Sequence, residues 1–355
     1  MDREAVISAI ANNETIEHVD LSGLDFSGAD LGGGRFEHVL FKGVDFRGAK
    51  ITRTGFKKCS FAGARFDETD LTMVDLRQLE LPGASFKGAR LHKTLLGGAN
   101  LAGCDFSQAR IFWSLLQEAD LSRASFRQAE FERSILQDAN CEEADFSEAV
   151  LFKTILLNSR LKGINLRQAK MHKVLLSGCD LAGQDFSDMR FREVNFANAK
   201  LGGADFSRAD ISGCVFTGAD LSASRLSGVI ARQSMFAGTN LQGADLEGAG
   251  LVQAYLGESN LEGASLVGAN LESASLEKAR AMGADFTGCN GRYLELSYAD
   301  LSRARFKDAD LYMARMHQTV AEEVDWQEVT ATTHRQSPAD LAEAESWQVP
   351  ASIPD

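Results

Sequence analysis

Ala204–Ala223 reads ADFSRADISGCVFTGADLSA, four consecutive five-residue units. Each unit opens with a small residue, most continue with Asp, and each places a large apolar residue at its centre: Phe206, Ile211, Phe216 and Leu221. A spacing of five matches neither the 3.6-residue period of a helical face nor the two-residue alternation of a strand. It is a repeat period, and a repeat takes precedence over any local reading of secondary structure.

The register extends both ways without insertion or deletion. From Ile16 to Met316 every fifth residue is Leu, Phe, Ile or Met, except Cys141, Ala231, Ala281 and Gly291. The position two residues before each centre is small or Val, with Leu24, Leu79, Ile164, Gln184, Met189 and Leu294 as misfits. The A(D/N)Lxx pattern resembles the pentapeptide-repeat family over roughly residues 16 to 330.

A second period shows the winding. Phe occurs 22 times, and all but Phe112 and Phe152 are centres. One column spaced by twenty runs Phe26, Phe46, Phe66, Phe86, Phe106, Phe126, Phe146, Leu166, Phe186, Phe206, and returns at Phe286 and Phe306 before Trp326. Twenty residues per circuit make four sides of one unit each, with central and small residues filling a narrow bore. Stacked rings then lie one strand spacing apart, ~4.8 Å. Glycine recurs at one corner, from Gly23, Gly43 and Gly63 onward, which predicts a positive-φ turn there, non-equivalent sides, and corner geometry fixed by column. The expected fold class is all-β: a quadrilateral parallel β-helix, a quasi-linear solenoid of about 16 coils held by contacts between neighbouring repeats. The family resemblance implies a right-handed winding. Gln184 is expected as an interior amide needing a partner, and Gly291 as a local void.

The expected organisation is an N-terminal cap at 1–15, the solenoid at 16–331, and a C-terminal helix and tail at 332–355. Val6, Ile7 and Ile10 give the first segment one apolar side. Ser337 and Pro338 form a good helix start, placing a helix at about 338–347 that covers the last coil or pairs with a second copy. The resemblance favours a homodimer through this helix.

Composition narrows the function. The net charge of −13 disfavours direct nucleic-acid binding and permits charge mimicry or a basic partner. No apolar run approaches the ~18 residues of a membrane span, and the acidic start MDREAVISAI lacks the marks of a signal peptide. A cytoplasmic protein is expected, with no membrane association. The six cysteines sit at interior positions with no zinc or disulfide spacing, and read as small buried hydrophobes.

With a packed bore, function must be read from the outside. One outward column is apolar where it should be polar: Leu95, Leu115, Ile135, Ile155, Leu175, then Asn195, Val215, Met235 and Tyr255. Such a stripe marks a partner or self-association surface; alternatively, its side chains fold over the wall. On the neighbouring side, between Arg90 and Glu193, nine Lys or Arg face three Glu, and Phe112, Trp113 and Phe152 interrupt them. Aromatic and basic groups beside an apolar stripe have the composition of an interface hot spot. The other sides carry Asp before the centre, a position where a short carboxylate can bond nearby backbone.

Catalysis and cofactors are not expected. His18 and His38 are stacked neighbours, but two imidazoles without a third ligand make a weak metal site. No phosphate loop, nucleophile elbow or HExxH occurs. The expected function is a non-enzymatic protein-binding scaffold; the resemblance suggests a bacterial adaptor or an accessory component of a secretion or effector system. The alternative, also from the resemblance, is an acidic DNA mimic acting on a type II topoisomerase such as gyrase. The greater length and the basic side depart from that second pattern.

Overall fold

The computed structural model describes residues 1–330. The expected helix at 338–347 and the tail 332–355 lie outside the described residues. The chain divides into two compact units, Met1–Asp180 and Leu181–Asp355.

Both units are parallel β-solenoids with twenty residues per circuit. Strand and bridge partners differ by twenty throughout, as in Leu91↔Ile111 and Asp205↔Arg225. Most central N–H groups donate to a carbonyl of the next circuit, for example Leu21 to Leu40 at 2.9 Å. We number the walls one to four by their centres in the first full circuit: Leu21, Phe26, Leu31 and Phe36.

Within each unit most corners turn by one device. The N–H three residues after a centre bonds back to the central carbonyl, as Ala29 does to Phe26 at 2.9 Å. The residue between them at the corner is left-handed. Every fifth residue from Asn13 to Glu328 has positive φ, whether glycine or not; Gly23 has φ 73° and Trp113 has φ 56°. The positive φ expected at the glycine corner is thus present there, and at every other corner too. The bond back to the centre is not universal: after Leu91 and Ile111 the Thr94 and Ser114 N–H groups donate instead to the Ser114 and Ser134 hydroxyls, both at 3.2 Å.

Extended strand is concentrated on one wall at a time. β1 (Thr15–Glu17), β2 (Arg35–Glu37) and β3 (Gly55–Lys57) pair on the fourth wall. β4 (Arg90–His92), β5 (Arg110–Phe112), β6 (Glu130–Glu132), β7 (Val150–Phe152) and β8 (Lys170–His172) pair on the third. The second unit carries one short strand, β9 (Phe191–Arg192), and otherwise isolated parallel bridges.

The bore is packed as the periods require. Phe86 and Phe106 stack at 4.6 Å with planes 3° apart, and Phe286 and Phe306 repeat the arrangement in the second unit. Such pairs add roughly 0.5–1.5 kcal/mol beyond burial. Buried hydroxyls at small positions donate to carbonyls 23 residues back: Thr94 to Leu71 at 2.9 Å, Ser114 to Leu91 at 3.0 Å, Ser134 to Ile111 at 2.8 Å. The thiols of Cys104 and Cys179 make the same bond at 3.0 Å. All six cysteines are free and buried.

Two interior expectations need correction. Gln184 is only half-buried, and among the described residues no buried side-chain nitrogen or oxygen lacks a partner. Gly291 leaves no void: a Cβ there would lie 2.7 Å from Leu311 Cδ2 and 3.3 Å from Leu294 Cδ2. Leu311 and the oversized Leu294 fill the space together.

Helix α1 (Arg3–Ala11) precedes the first circuit. Asp2 caps it by accepting from the Ala5 N–H at 2.9 Å. Val6 and Ala9 are its buried residues, while Ile7 and Ile10 are half-buried. Ile10 reaches Gly34, where a Cβ would meet its Cδ1 at 3.1 Å. At the far end of the described chain, Trp326 stacks on Phe306 at 5.0 Å but is only half-buried.

Candidate functional surface

The apolar column stacks on the fourth wall. In the first unit Leu95, Leu115, Ile135, Ile155 and Leu175 are bridged in succession. The first four are half-buried, because neighbours one strand spacing above and below shield them; Leu175 is exposed. In the second unit Asn195, Val215, Met235 and Tyr255 are bridged in the same way. Val215 is half-buried, whereas Met235 and Tyr255 are exposed. The Tyr255 ring lies back over Gly257, whose missing Cβ makes the room. So Tyr255 follows the fold-over expectation in part.

Phe112 and Phe152 lie on the third wall of the first unit, where β5 and β7 place them. Trp113 occupies the corner leading to the apolar column and is 49% exposed, the most open aromatic of this unit. Arg133, one circuit on, holds its guanidinium 4.7 Å from the Trp113 ring and also pairs with Glu132 at 2.9 Å. Lys153 lies 5.1 Å over Phe152, whose edge contacts His172. Arg110 pairs with Glu130 at 3.4 Å. The basic side is thus a network in which cations already rest on rings and carboxylates, which fixes rotamers that would otherwise have to be ordered on binding.

The aspartates before the centres do structural work. Asp105 accepts the Ser107 N–H at 2.8 Å, and Asp145 accepts the Ser147 N–H at 2.9 Å. Neighbouring circuits add Asn donors: Asn165 to Asp145 at 2.8 Å, Asn240 to Asp220 at 2.9 Å. Elsewhere Arg closes on them, as Arg47 on Asp45 and Arg225 on Asp205, both at 2.7 Å. The Arg47 bond holds the Asp45 carboxyl below its ordinary value. At Asp205 burial pushes upward, but the bonds from Ser207 and Arg225 outweigh it and the net shift is downward.

A further cluster was missed by the sequence reading. In the second unit Tyr293 packs edge-on against Tyr312 at 5.8 Å, and Arg292 lies 4.6 Å over the Tyr312 ring. Tyr298 meets His317 edge-on at 5.1 Å, and Met313 is exposed. The available signal was composition: all four tyrosines fall between Tyr255 and Tyr312, and none is a centre.

Among the described residues no group of three or more His, Cys, Asp or Glu could hold a metal ion. His18 and His38 stack at 4.7 Å, ring on ring. No described helix is long and apolar enough to cross a membrane.

These walls belong to a known class. The chain matches the model for pentapeptide repeats, in eight copies, at residues 20–57, 59–98, 84–111, 190–228, 214–251, 251–288 and 292–320, and that for a pentapeptide repeat region at 129–206. It is a member of the pentapeptide-repeat family. Among solved structures it is similar to HetL, a pentapeptide repeat protein involved in heterocyst differentiation regulation from the cyanobacterium Nostoc sp. strain PCC 7120 (24% identity, 89% of this chain and 97% of that one, TM-score 0.17). It is also similar to a trypsin-treated variant of QnrB1, a plasmid-mediated fluoroquinolone resistance protein (22%, 68% and 96%, TM-score 0.26). A third is a pentapeptide repeat protein from the Arabidopsis thaliana thylakoid lumen (27%, 35% and 65%, TM-score 0.17). At these TM-scores the family assignment rests on the repeats themselves. No curated protein matches the chain.

Proposed function

We propose that this protein is a non-enzymatic, protein-binding scaffold, and that the third and fourth walls of the first unit form its binding surface. The observation that carries the reading is Trp113: a large exposed ring at the corner between a basic network and an aliphatic column. Aromatic anchors held by Arg beside apolar surface are the usual core of a hot spot. In the second unit Val215, Met235 and Tyr255 offer a second apolar column. The scaffold is taken to be bacterial and cytoplasmic, an adaptor or an accessory component of a secretion or effector system, as family association suggests. The same resemblance supports a right-handed winding and about 16 coils.

Affinity capture from native cells, with mass-spectrometric readout, tests the reading. Trp113→Ala, and separately Leu115→Asp with Ile135→Asp, should each deplete the same captured proteins while leaving the circular dichroism of the fold unchanged. An unaltered capture profile in both refutes the assignment of this surface.

A second reading is supported by the net charge of −13 and by the regular Asp columns. It makes the chain an acidic mimic of DNA that binds a type II topoisomerase. Capping of these carboxylates by backbone N–H groups, Asn and Arg speaks against a free polyanionic face. Binding to purified gyrase that weakens with salt and competes with DNA would favour it; absence of either ends it.

A further inference from the structure

The fourth wall of the first unit has unlike edges. One corner carries Lys93, Trp113, Arg133, Lys153 and Lys173; the opposite corner carries Gly98, Glu118, Asp138, Asn158 and Gly178. Between them runs the column Leu95 to Leu175. The wall is therefore basic along one border, aliphatic in the middle, and acidic to neutral along the other.

Two such walls placed face to face have two symmetric arrangements. If the stacks of circuits run antiparallel, each border meets its like, Lys and Arg against Lys and Arg. If they run parallel, with the two-fold axis along the stripe, the basic border of one copy lies opposite the acidic border of the other. Each circuit then meets its own counterpart, Leu115 opposite Leu115. Arg133 and Asp138, one unit apart in the same circuit, come opposite each other at nearly the same level, twice by symmetry.

The repeat spacing also selects the partner. Side chains along this wall recur every ~4.8 Å. An α-helix laid along it presents a residue every ~5.4 Å and drifts half a step out of phase over the stripe. An identical wall stays in phase along its whole length.

We propose that the first unit binds a second copy of this chain through its fourth wall, parallel and in register, with Arg133 opposite Asp138. This rests on reading the column as an interaction surface. It leaves Phe112 and Phe152 of both copies on outer flanks, open to other partners. The stripe from Leu95 to Leu175 is only ~19 Å long at the strand spacing, too short for a single wall to bury the ~800 Å² per partner of a standard interface. The pair should therefore be in concentration-dependent equilibrium with monomer.

Single-cysteine crosslinking of the full chain decides the matter, since the native thiols are all buried. Leu95→Cys and Leu175→Cys are treated with a short homobifunctional maleimide, separately and as an equimolar mixture, with Ala102→Cys on the first wall as control. Face-to-face sheets lie ~10 Å apart, which such a reagent spans, whereas rows 95 and 175 are a further ~19 Å apart along the stack. The expected result is 95–95 and 175–175 linkage well above the control, and no 95–175 linkage. A 95–175 linkage, or crosslinking no greater than the control, overturns the proposal. Sedimentation velocity gives a second readout: Arg133→Glu should weaken dimerisation at least tenfold, and Arg133→Glu with Asp138→Arg should restore it. A double variant no better than the single one also overturns it. If crosslinking fails while Leu115→Asp with Ile135→Asp still depletes captured proteins, the pairing is wrong and the binding surface stands. If both fail, both readings fall.

Discussion

Gly291 and Leu294 have exchanged volumes. Gly291 stands at a centre, where a large residue belongs, and Leu294 at the next small position, and Leu294 Cδ2 comes within 3.3 Å of the place a Gly291 Cβ would occupy. Both are fully enclosed by the bore.

The exchange predicts coupling. Gly291→Leu restores the repeat consensus but overpacks the site and should cost about 1–3 kcal/mol. Leu294→Ala empties it and should cost about 2–5 kcal/mol. The double variant, consensus at both positions, should recover only part of the loss, because Leu311 Cδ2 still lies 2.7 Å from the place of the Gly291 Cβ. Chemical denaturation of the four proteins measures the interaction term; additive losses would show that the residues are independent.

The hydroxyl ladder beneath β4–β7 makes a second prediction. Ser134 donates to the Ile111 carbonyl at 2.8 Å and accepts the Ser114 N–H at 3.2 Å. Ser134→Ala removes the donor inside an apolar bore and should cost about 1–3 kcal/mol. Ser134→Cys should cost less, because Cys104 makes the equivalent bond natively. Equal losses for the two variants would deny the ladder any energetic role.

Burial pushes the Cys104 thiol up to about 12 from its ordinary 9.0. In the unfolded chain the thiol ionises near its ordinary value, in the folded chain only well above it. Its contribution to stability is complete below pH 9.0 and is lost as pH rises toward about 12. Native protein at pH 8 should therefore resist a thiol reagent that labels all six cysteines in denaturant. Rapid native labelling of Cys104 would contradict its placement in the bore.

Acid acts through the aspartates. Asp45 and Asp75 are depressed chiefly by the side-chain bonds of Arg47 and Arg77. Groups depressed in the folded state stabilise it above their ordinary 3.8, and that support is lost as pH falls below it. Unfolding midpoints should be flat from neutral pH to about 5 and fall below about 4. Asp45→Asn with Asp75→Asn should reduce the slope of that fall.

The circuit of twenty, the bore and the structural use of Asp were legible because each recurs many times in the sequence. The Phe26-to-Phe146 column alone fixes the four-sided winding. What escaped is what depends on a partner one circuit away or on a local exception. The uniform left-handed corner was hidden because Trp113 and Arg133 are residues for which αL backbone is unusual. The mutual filling of Gly291 and Leu294 looked like two unrelated misfits. At the surface, Trp113 and the aliphatic column could be found by their departure from polarity, but not the Arg133 guanidinium resting on the Trp113 ring. The Tyr293–Tyr312 cluster went unread because its residues belong to two circuits and make no column.

The corner device has an evolutionary consequence. Every five residues close a bend around one left-handed residue, so inserting one unit would preserve most local geometry. Yet it would carry each residue downstream in its unit one side around, scattering the aliphatic column and breaking the phenylalanine stack. Only additions or losses of twenty residues leave every side intact, so lineages of such chains should differ in length by whole turns of the winding.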